Sequence, residues 1–406
     1  MRGSRNQENH SARTSITCKR LVIVQTLLLA LSACQVFAQV AKDDFKFVNV
    51  ADNTQDLIGF LNFPAINNRG DVAFVATGND RVQGVFKWHQ GRVTTIAKSS
   101  SVLGGFGDDV VINAAGVVGY DASVASASVN DRAIFTSNGV WTRTIFDAGQ
   151  QGFAGRFMGS PSINAAGTVA FFATRPNFSQ VLLTGDGGPL TTIADTNDQT
   201  FGGFGNAAIN SSGEITFSAS RADGSMGVFM ATPANEDDRP SATPATIIAL
   251  TDAQNPLFSD PFASFGDPVI NEAGTVADVG FPGFGNLEIF TGNGHSVTAR
   301  TDPNSSFFTA SEHPSLNDRG AVAFYANELG GGQGIFVELT GGTSPMAVIE
   351  AGDRLFGSTV TRLDLGRFAL NDRGQLAFRY DLQDGRSGVA IASPRKRNKE
   401  EGESER

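Results

Sequence analysis

The sequence predicts an all-β fold of seven four-stranded units closed into a ring. Three observations carry that prediction. One short phrase recurs seven times, the segments around it alternate with period two, and the last copy lacks a strand that the first segment of the body resembles. The phrase is Ile or Leu, then Asn, two residues, Gly, and an alternating apolar run. Its Asn residues are Asn67, Asn113, Asn164, Asn210, Asn271, Asn317 and Asn371, spaced by 46, 51, 46, 61, 46 and 54. Repeats of this length are single supersecondary units that bury their apolar faces on neighbours.

The chemistry of the phrase is that of a tight β-turn. Asn hydrogen-bonds nearby backbone, and Gly three residues later accepts the left-handed conformation that closes the turn. The run that follows alternates, as in Thr168-Val169-Ala170-Phe171, and period two means strand. An aromatic stands seven residues after Asn in six copies: Phe74, Tyr120, Phe171, Phe217, Phe324 and Phe378; the fifth copy has Asp278. A buried unpaired carboxylate is costly, so Asp278 is either a functional group or the site of a local slip that lets Phe281 fill the aromatic slot, and the slip is expected.

Two further strands complete each unit. Phe86, Leu183, Phe229, Phe290, Phe336 and Ala390 each lie 19 residues after their Asn, and Phe135 lies 22 after Asn113. Beyond them comes a Thr/Ile phrase: Val93 to Ala97, Leu190 to Ala194, Thr246 to Ala249 and Met346 to Ile349. The seventh copy stops at Ala392 without that phrase, while Phe47-Val48-Asn49-Val50-Ala51-Asp52 reads like it. The N-terminal strand is therefore expected to complete the last unit and leave no open ends. Pro64, Pro161, Pro268 and Pro314 stand three residues before Asn. Proline is confined to edge strands, which makes the strand ending at Asn the innermost one. The architecture is a seven-bladed β-propeller over residues 45–394.

These repeats resemble the exported bacterial tandem-repeat proteins named for the phrase Asn-x-x-Gly-x-x-Ala-Phe. The phrase is literal at Asn67–Phe74, Asn164–Phe171, Asn317–Phe324 and Asn371–Phe378, and degraded in the other three copies. The resemblance implies export and no established activity. Members often carry a C-terminal surface anchor; none is visible here, and surface attachment would rest on Cys34.

The ends read as a leader and a tail. Arg2, Arg5, Arg13, Lys19 and Arg20 precede the apolar run Leu21 to Leu31, the grammar of a secretory signal over residues 1–38. Eleven residues at about 1.5 Å each fall short of a bilayer core of about 30 Å, so no membrane span is expected in the mature chain. Cleavage after Val36-Phe37-Ala38 gives a free exported protein, and Leu31-Ser32-Ala33-Cys34 offers lipidation at Cys34 instead. An uncleaved signal anchor is the third option. Residues 395–406 are Arg/Lys/Glu-rich and expected to be a solvated tail.

Composition narrows the function. Gly is 47 of 406 residues, as turn-dense β repeats require, and the net charge is −10. That balance excludes a general nucleic-acid binder. Cys18 and Cys34 are the two cysteines, so a disulfide framework or a cysteine metal cluster in the body is excluded. Phe is 32, and the repeat positions of the aromatics point to packing between blades, with an aromatic sugar platform as the alternative. No nucleophile elbow, His-Glu-x-x-His or phosphate loop occurs.

Aligning the innermost strands isolates one variable position, four residues before Asn: Phe63, Asp109, Ser160, Asn206, Asp267, His313 and Arg367. In a propeller these form a ring near a channel mouth, where ligands bind. The last six are the candidate ligand-binding residues, with a solvated strand start as the plainer reading. No catalytic or metal-binding residue is assigned. Asp195, Asp198, Asp252, Asp260, Asp302, Glu312 and Asp353 lie in loops that enter these strands; clustered carboxylates suit Ca²⁺, although none matches a calcium loop. The expected function is non-catalytic binding of an extracellular ligand or protein by a monomer. A hydrolase or lyase acting on an extracellular polysaccharide and a structural surface or matrix protein are the alternatives.

Overall fold

Asn and Gly three residues apart make the same turn in all seven copies. In the first, the Asn67 N–H donates to the Asp71 carbonyl at 3.1 Å and the Gly70 N–H to the Asn67 carbonyl at 2.9 Å. Gly70, Gly116, Gly167, Gly213, Gly274, Gly320 and Gly374 all have φ between 72° and 94°, a region strained for any residue with a Cβ. The Asn side chain closes the turn as well. Asn317 Oδ1 accepts from the N–H groups of Arg319 at 3.1 Å and Ala321 at 2.9 Å.

A computed structural model describes residues 44–395, apart from 62, 126–130, 155–157, 233–245, 251–261, 283–287, 302–306, 311–312, 329–330 and 340–344. Lys46–Pro394 form one unit. The other, Met1–Phe45 with Arg395–Arg406, is described at 44, 45 and 395, where the Arg395 N–H donates to the Asp44 carbonyl at 2.7 Å. The expected leader with Cys34, and the tail beyond 395, lie outside the described residues. Among those described, no helix is long and apolar enough to cross a membrane; the helical content is one short turn, Thr196–Asp198.

Seven antiparallel four-stranded sheets form a propeller. In the second blade the order is Leu103–Ile112, Val118–Val124, Arg132–Ser137 and Thr142–Asp147, inner to outer. In the first, fifth and sixth blades the inner strand is broken into two pieces on the same neighbour, as with Leu57–Phe60 and Ala65–Ile66 beside Val72–Gly78. The seventh blade is closed as expected: Phe45–Asp52 pairs with Ser387–Pro394, outside Leu376–Leu382 and Ser358–Asp364. Gly388 permits the approach, since a Cβ there would lie 2.3 Å from the Ala51 carbonyl oxygen.

Alternation places one face of each sheet against the previous blade and the other against the next. Phe74, Tyr120, Phe171, Phe217, Phe324 and Phe378 are all fully buried. Cross-strand aromatic stacks recur at Phe74–Phe86, Tyr120–Phe135, Phe217–Phe229 and Phe324–Phe336, with centroids 5.6 to 5.9 Å apart. The aromatic load is packing, worth about 0.5–1.5 kcal/mol per pair beyond burial.

The repeat Asn does more than turn the chain. Each donates its Nδ2 to the backbone carbonyl of the Asn in the next blade: 67 to 113, 113 to 164, 164 to 210, 210 to 271, 271 to 317, 317 to 371 and 371 back to 67, at 3.0 to 3.2 Å. Seven buried amides form one closed circle of hydrogen bonds.

Two outcomes follow from this construction. Asn317→Ala removes three hydrogen bonds and leaves buried backbone groups unpaired, so urea unfolding should show a loss of about 2–4 kcal/mol; an unchanged midpoint would mean the circle is dispensable. A chain starting at Asn53 leaves Ser387–Pro394 as a bare sheet edge, and light scattering should detect self-association.

Candidate functional site

The inner strands all leave their regular ladder at the variable position. Register shifts fall between Phe106 and Val110 in the second blade and between Phe204 and Ala207 in the fourth. In the first and fifth blades the strand breaks over 61–64 and 266–268. A bulge of this kind re-aims a side chain, and it turns the residue four before Asn into the channel.

The structure brings most of the expected ring into contact. Asn206 Nδ2 donates to Asp267 Oδ2 at 2.9 Å, and its Oδ1 accepts the Ser160 N–H at 2.8 Å. His313 Nδ1 lies 3.1 Å from the same Asp267 oxygen, both side chains being 15% exposed. The Phe63 ring packs edge-on against His313, centroids 5.1 Å apart. Asp109 stands beside Phe63, joined to it by a parallel backbone bridge.

Arg367 differs from the rest of the ring in being buried, at 2% exposure. It reaches across the axis from the seventh blade and donates through Nη1 to the Ala207 carbonyl of the fourth at 3.2 Å. Its guanidinium lies 5.1 Å from the Phe368 ring centroid. Nε and Nη2 are buried without a hydrogen-bond partner among the described residues. A guanidinium carries five N–H donors, and leaving them unmet in a low-dielectric site is costly.

Asp278 stands behind this cluster. The expected slip does not occur: Asp278 pairs with Phe290 just as Phe74 pairs with Phe86. The register is held by Val276 and Val279, fully buried on either face, so one carboxyl occupies an aromatic slot. Phe281 instead packs partly buried against the cluster shared with the sixth blade. Asp278 is 0% exposed, and its Oδ2 has no hydrogen-bond partner among the described residues. Burial pushes its pKa well up, and the Asp267 charge adds to this, against Arg367. Asp267 goes the other way. Burial raises it, but the His313 contact, Arg367 and the Asn206 amide outweigh that and hold it at about 2.

The two mouths of the channel are unlike. On the Asn side a cavity of about 170 Å³ is rimmed by Glu272, Asp318 and Asp372 and lined by Ile66, Ile112 and Ile209. Its rim is a partial second circle, in which the N–H groups of Ser211, Glu272, Asp318 and Asp372 donate to the next blade's side chain at 2.8 to 2.9 Å. None of the six ring residues lines this cavity, so the ring lies away from the Asn end. Beside Asp109, the surface residue Asp108 has its pKa raised by partial desolvation and by the Asp109 and Asp364 carboxylates, against Arg132. Arg379 ties Asp364 at 2.7 Å and Asp381 at 2.9 Å to the Phe60 carbonyl of the first blade at 3.2 Å.

Of the loop carboxylates, Asp252, Asp260, Asp302 and Glu312 lie outside the described residues. Asp195 is paired with Arg175 at 2.6 Å. Among the described residues no group of three metal-ligating side chains is suitably placed.

Comparison with known proteins bears on the fold. The model of a family of unknown function (DUF7453) matches residues 285–394, from the outer strands of the fifth blade to the end of the seventh. No curated protein sequence matches the chain. An oligogalacturonate lyase from Vibrio parahaemolyticus is similar at 12% identity and a TM-score of 0.53, over 86% of this chain and 96% of that one. TolB from Acinetobacter baumannii (15%, 0.43) aligns over 72% of this chain, and a puromycin hydrolase (14%, 0.49) over 82%. The chain spans 63% and 52% of those two proteins.

The raised Asp278 carboxyl has a pH signature. The unfolded chain gives up this proton near pH 3.8, the folded chain at higher pH, so wild-type stability falls as pH rises between the two values. Asp278→Asn removes that slope. Its unfolding midpoint relative to wild type should be higher at pH 7 than at pH 4; a constant difference would place the carboxyl in solvent.

Proposed function

We propose that this is an exported, non-catalytic binding propeller whose ligand enters the mouth opposite the Asn circle and is held by the channel ring. One observation carries the reading: Asn206, Asp267 and His313 form one joined, part-exposed polar wall, with the Arg367 charge buried within electrostatic reach of Asp267. A ligand meets the exposed polar atoms of that wall, and the guanidinium acts on it through its charge. Asp109, Ser160, Asn206, Asp267 and His313 then supply the mixed polar wall around it. The repeat phrase supports a kinship with the Asn-x-x-Gly-x-x-Ala-Phe group, and the basic-then-apolar leader supports export, with or without a lipid on Cys34. The repeat body is taken to act as a monomer, and Ca²⁺ remains a loop-bound option.

The enzyme alternative has its own support. Two carboxyls with pKa values pushed apart are the pattern of an acid and a base, and Asp267 and Asp278 are such a pair. The similar Vibrio protein is an oligogalacturonate lyase, but a likeness at this identity is one of fold. Against catalysis, Asp278 is sealed from solvent and Asp267 already accepts from Asn206. Neither is placed to exchange a proton with a substrate.

A glycan and peptide array screen of the full chain supplies the ligand. Asp267→Asn and Arg367→Met should then weaken it at least tenfold, with no shortened or unsaturated product from trigalacturonate. Unchanged affinity in both variants removes the ring as the site, and turnover replaces binding by catalysis.

A further inference from the structure

A second feature lies away from the channel, between the first and second blades. Lys87 and His89 alternate on the strand Gln83–His89 and so share a face. Register places Thr94 opposite Lys87 and Arg92 opposite His89, so the four side chains form one stripe. Arg69 joins it from the Asn67 turn, and the second blade's hairpin at Asn138, Gly139 and Val140 forms the far wall of a groove of about 450 Å³.

The stripe departs from the repeat. The residue paired with the small residue at the Ala73 position is Lys87 here, but Thr136, Thr184, Met230, Thr291, Val337 and Ile391 in the other blades. A neutral side chain is therefore sufficient for packing at this place. Lys87 is half-buried, its Nζ donates to the Gly116 carbonyl at 3.0 Å, and burial lowers its pKa.

The groove's single carboxylate is already engaged. Asp71, 2% exposed, takes Arg69 Nη2 at 2.7 Å, Asn67 Nδ2 at 3.1 Å and His89 Nδ1. It fixes Arg69 and His89 and leaves Lys87 and Arg92 without a carboxylate at ion-pair distance among the described residues. Three cationic side chains thus face one engaged carboxylate, in a chain of net charge −10. Cations gathered against the protein's own charge, in a concave wall, are the arrangement that focuses an anion.

We propose that this groove binds an oxyanion, the carboxylate, sulfate or phosphate group of a ligand, between Lys87 Nζ, Arg92 and the open edge of Arg69, with Asp71 as the positioning residue. The site is independent of the channel ring. Lys87 supplies the point charge, and Arg92 the planar fork that matches a two-oxygen acceptor.

Calorimetric titration of the full chain at low ionic strength with inorganic sulfate, inorganic phosphate and trigalacturonate tests this and separates the three sources. At least one should bind saturably and more weakly as salt is added. Lys87→Gln and Arg92→Ser should each weaken it about tenfold, as loss of a charge-assisted hydrogen bond does. Arg221→Ser removes the same charge in the fourth blade and should change nothing. Arg92 is exposed, so its variant decides the matter if Lys87→Gln unfolds. Absence of saturable binding by all three probes, or equal weakening by Arg221→Ser, overturns the proposal.

Discussion

The circle of seven asparagine amides is the constraint on which the rest of this structure depends. Each Nδ2 spans from one blade to the next, joining residues 46 to 61 positions apart in the chain, and the last returns from Asn371 to Asn67. A single carbonyl serves two purposes there, accepting the Gly N–H of its own turn and the amide of the neighbouring blade. The group is buried, so water cannot replace a missing member. The angle between blades is therefore fixed at the axis, by polar geometry, while the aromatic stacks farther out fill whatever space that angle leaves.

Closure at the axis would be of little use without closure at the rim. The strand Phe45–Asp52 completes the last sheet, and the Tyr380 hydroxyl donates to Asn49 Oδ1 at 3.0 Å, which reaches from the second strand of that blade to its fourth. A ring sealed both by an axial circle and by a shared sheet resists opening between its first and seventh blades. Non-local pairing of this kind is entropically expensive to form. The repeat answers by making every other contact local, within one blade or between adjacent ones.

What was legible in the sequence is what repeats. Asn and Gly at a spacing of three, alternation after Gly, and the displaced Phe47–Asp52 phrase predict the turns, the strands and the closing blade because each is a local rule applied seven times. The second role of Asn67 was not legible, because its partner is the carbonyl of Asn113 and nothing in the phrase names an acceptor in another blade. The position four before Asn was found by its variability, but the bulge that turns it into the channel leaves no mark beyond occasional Pro and Gly. The sequence presents Arg367 as one polar member of a ring at a channel mouth; its burial follows from a span across the axis to Ala207, which no pattern encodes. The fifth blade kept its register with Asp278 in place because Val276, Val279 and Ile289 bury better where they are than a one-residue slip would allow. In the sequence the stripe of Lys87, His89 and Arg92 shows as no more than charges of one parity in one copy, and single charges on strands are usually solvated.

In a structure of near-identical units, departures from the repeat are the places to look for function. Packing alone would put an aromatic at 278, as in the other blades, and a neutral residue at 87. Asp278 in the fifth blade and Arg367 in the seventh are coupled, since both lie within electrostatic reach of Asp267, and neither has its hydrogen-bonding capacity met among the described residues. A chain selected for rigidity would replace both with apolar residues of similar volume, an exchange that is often neutral or stabilising for buried charges. Both stand behind a wall of Asn206, Asp267 and His313, and both carry a cost that packing between blades does not require.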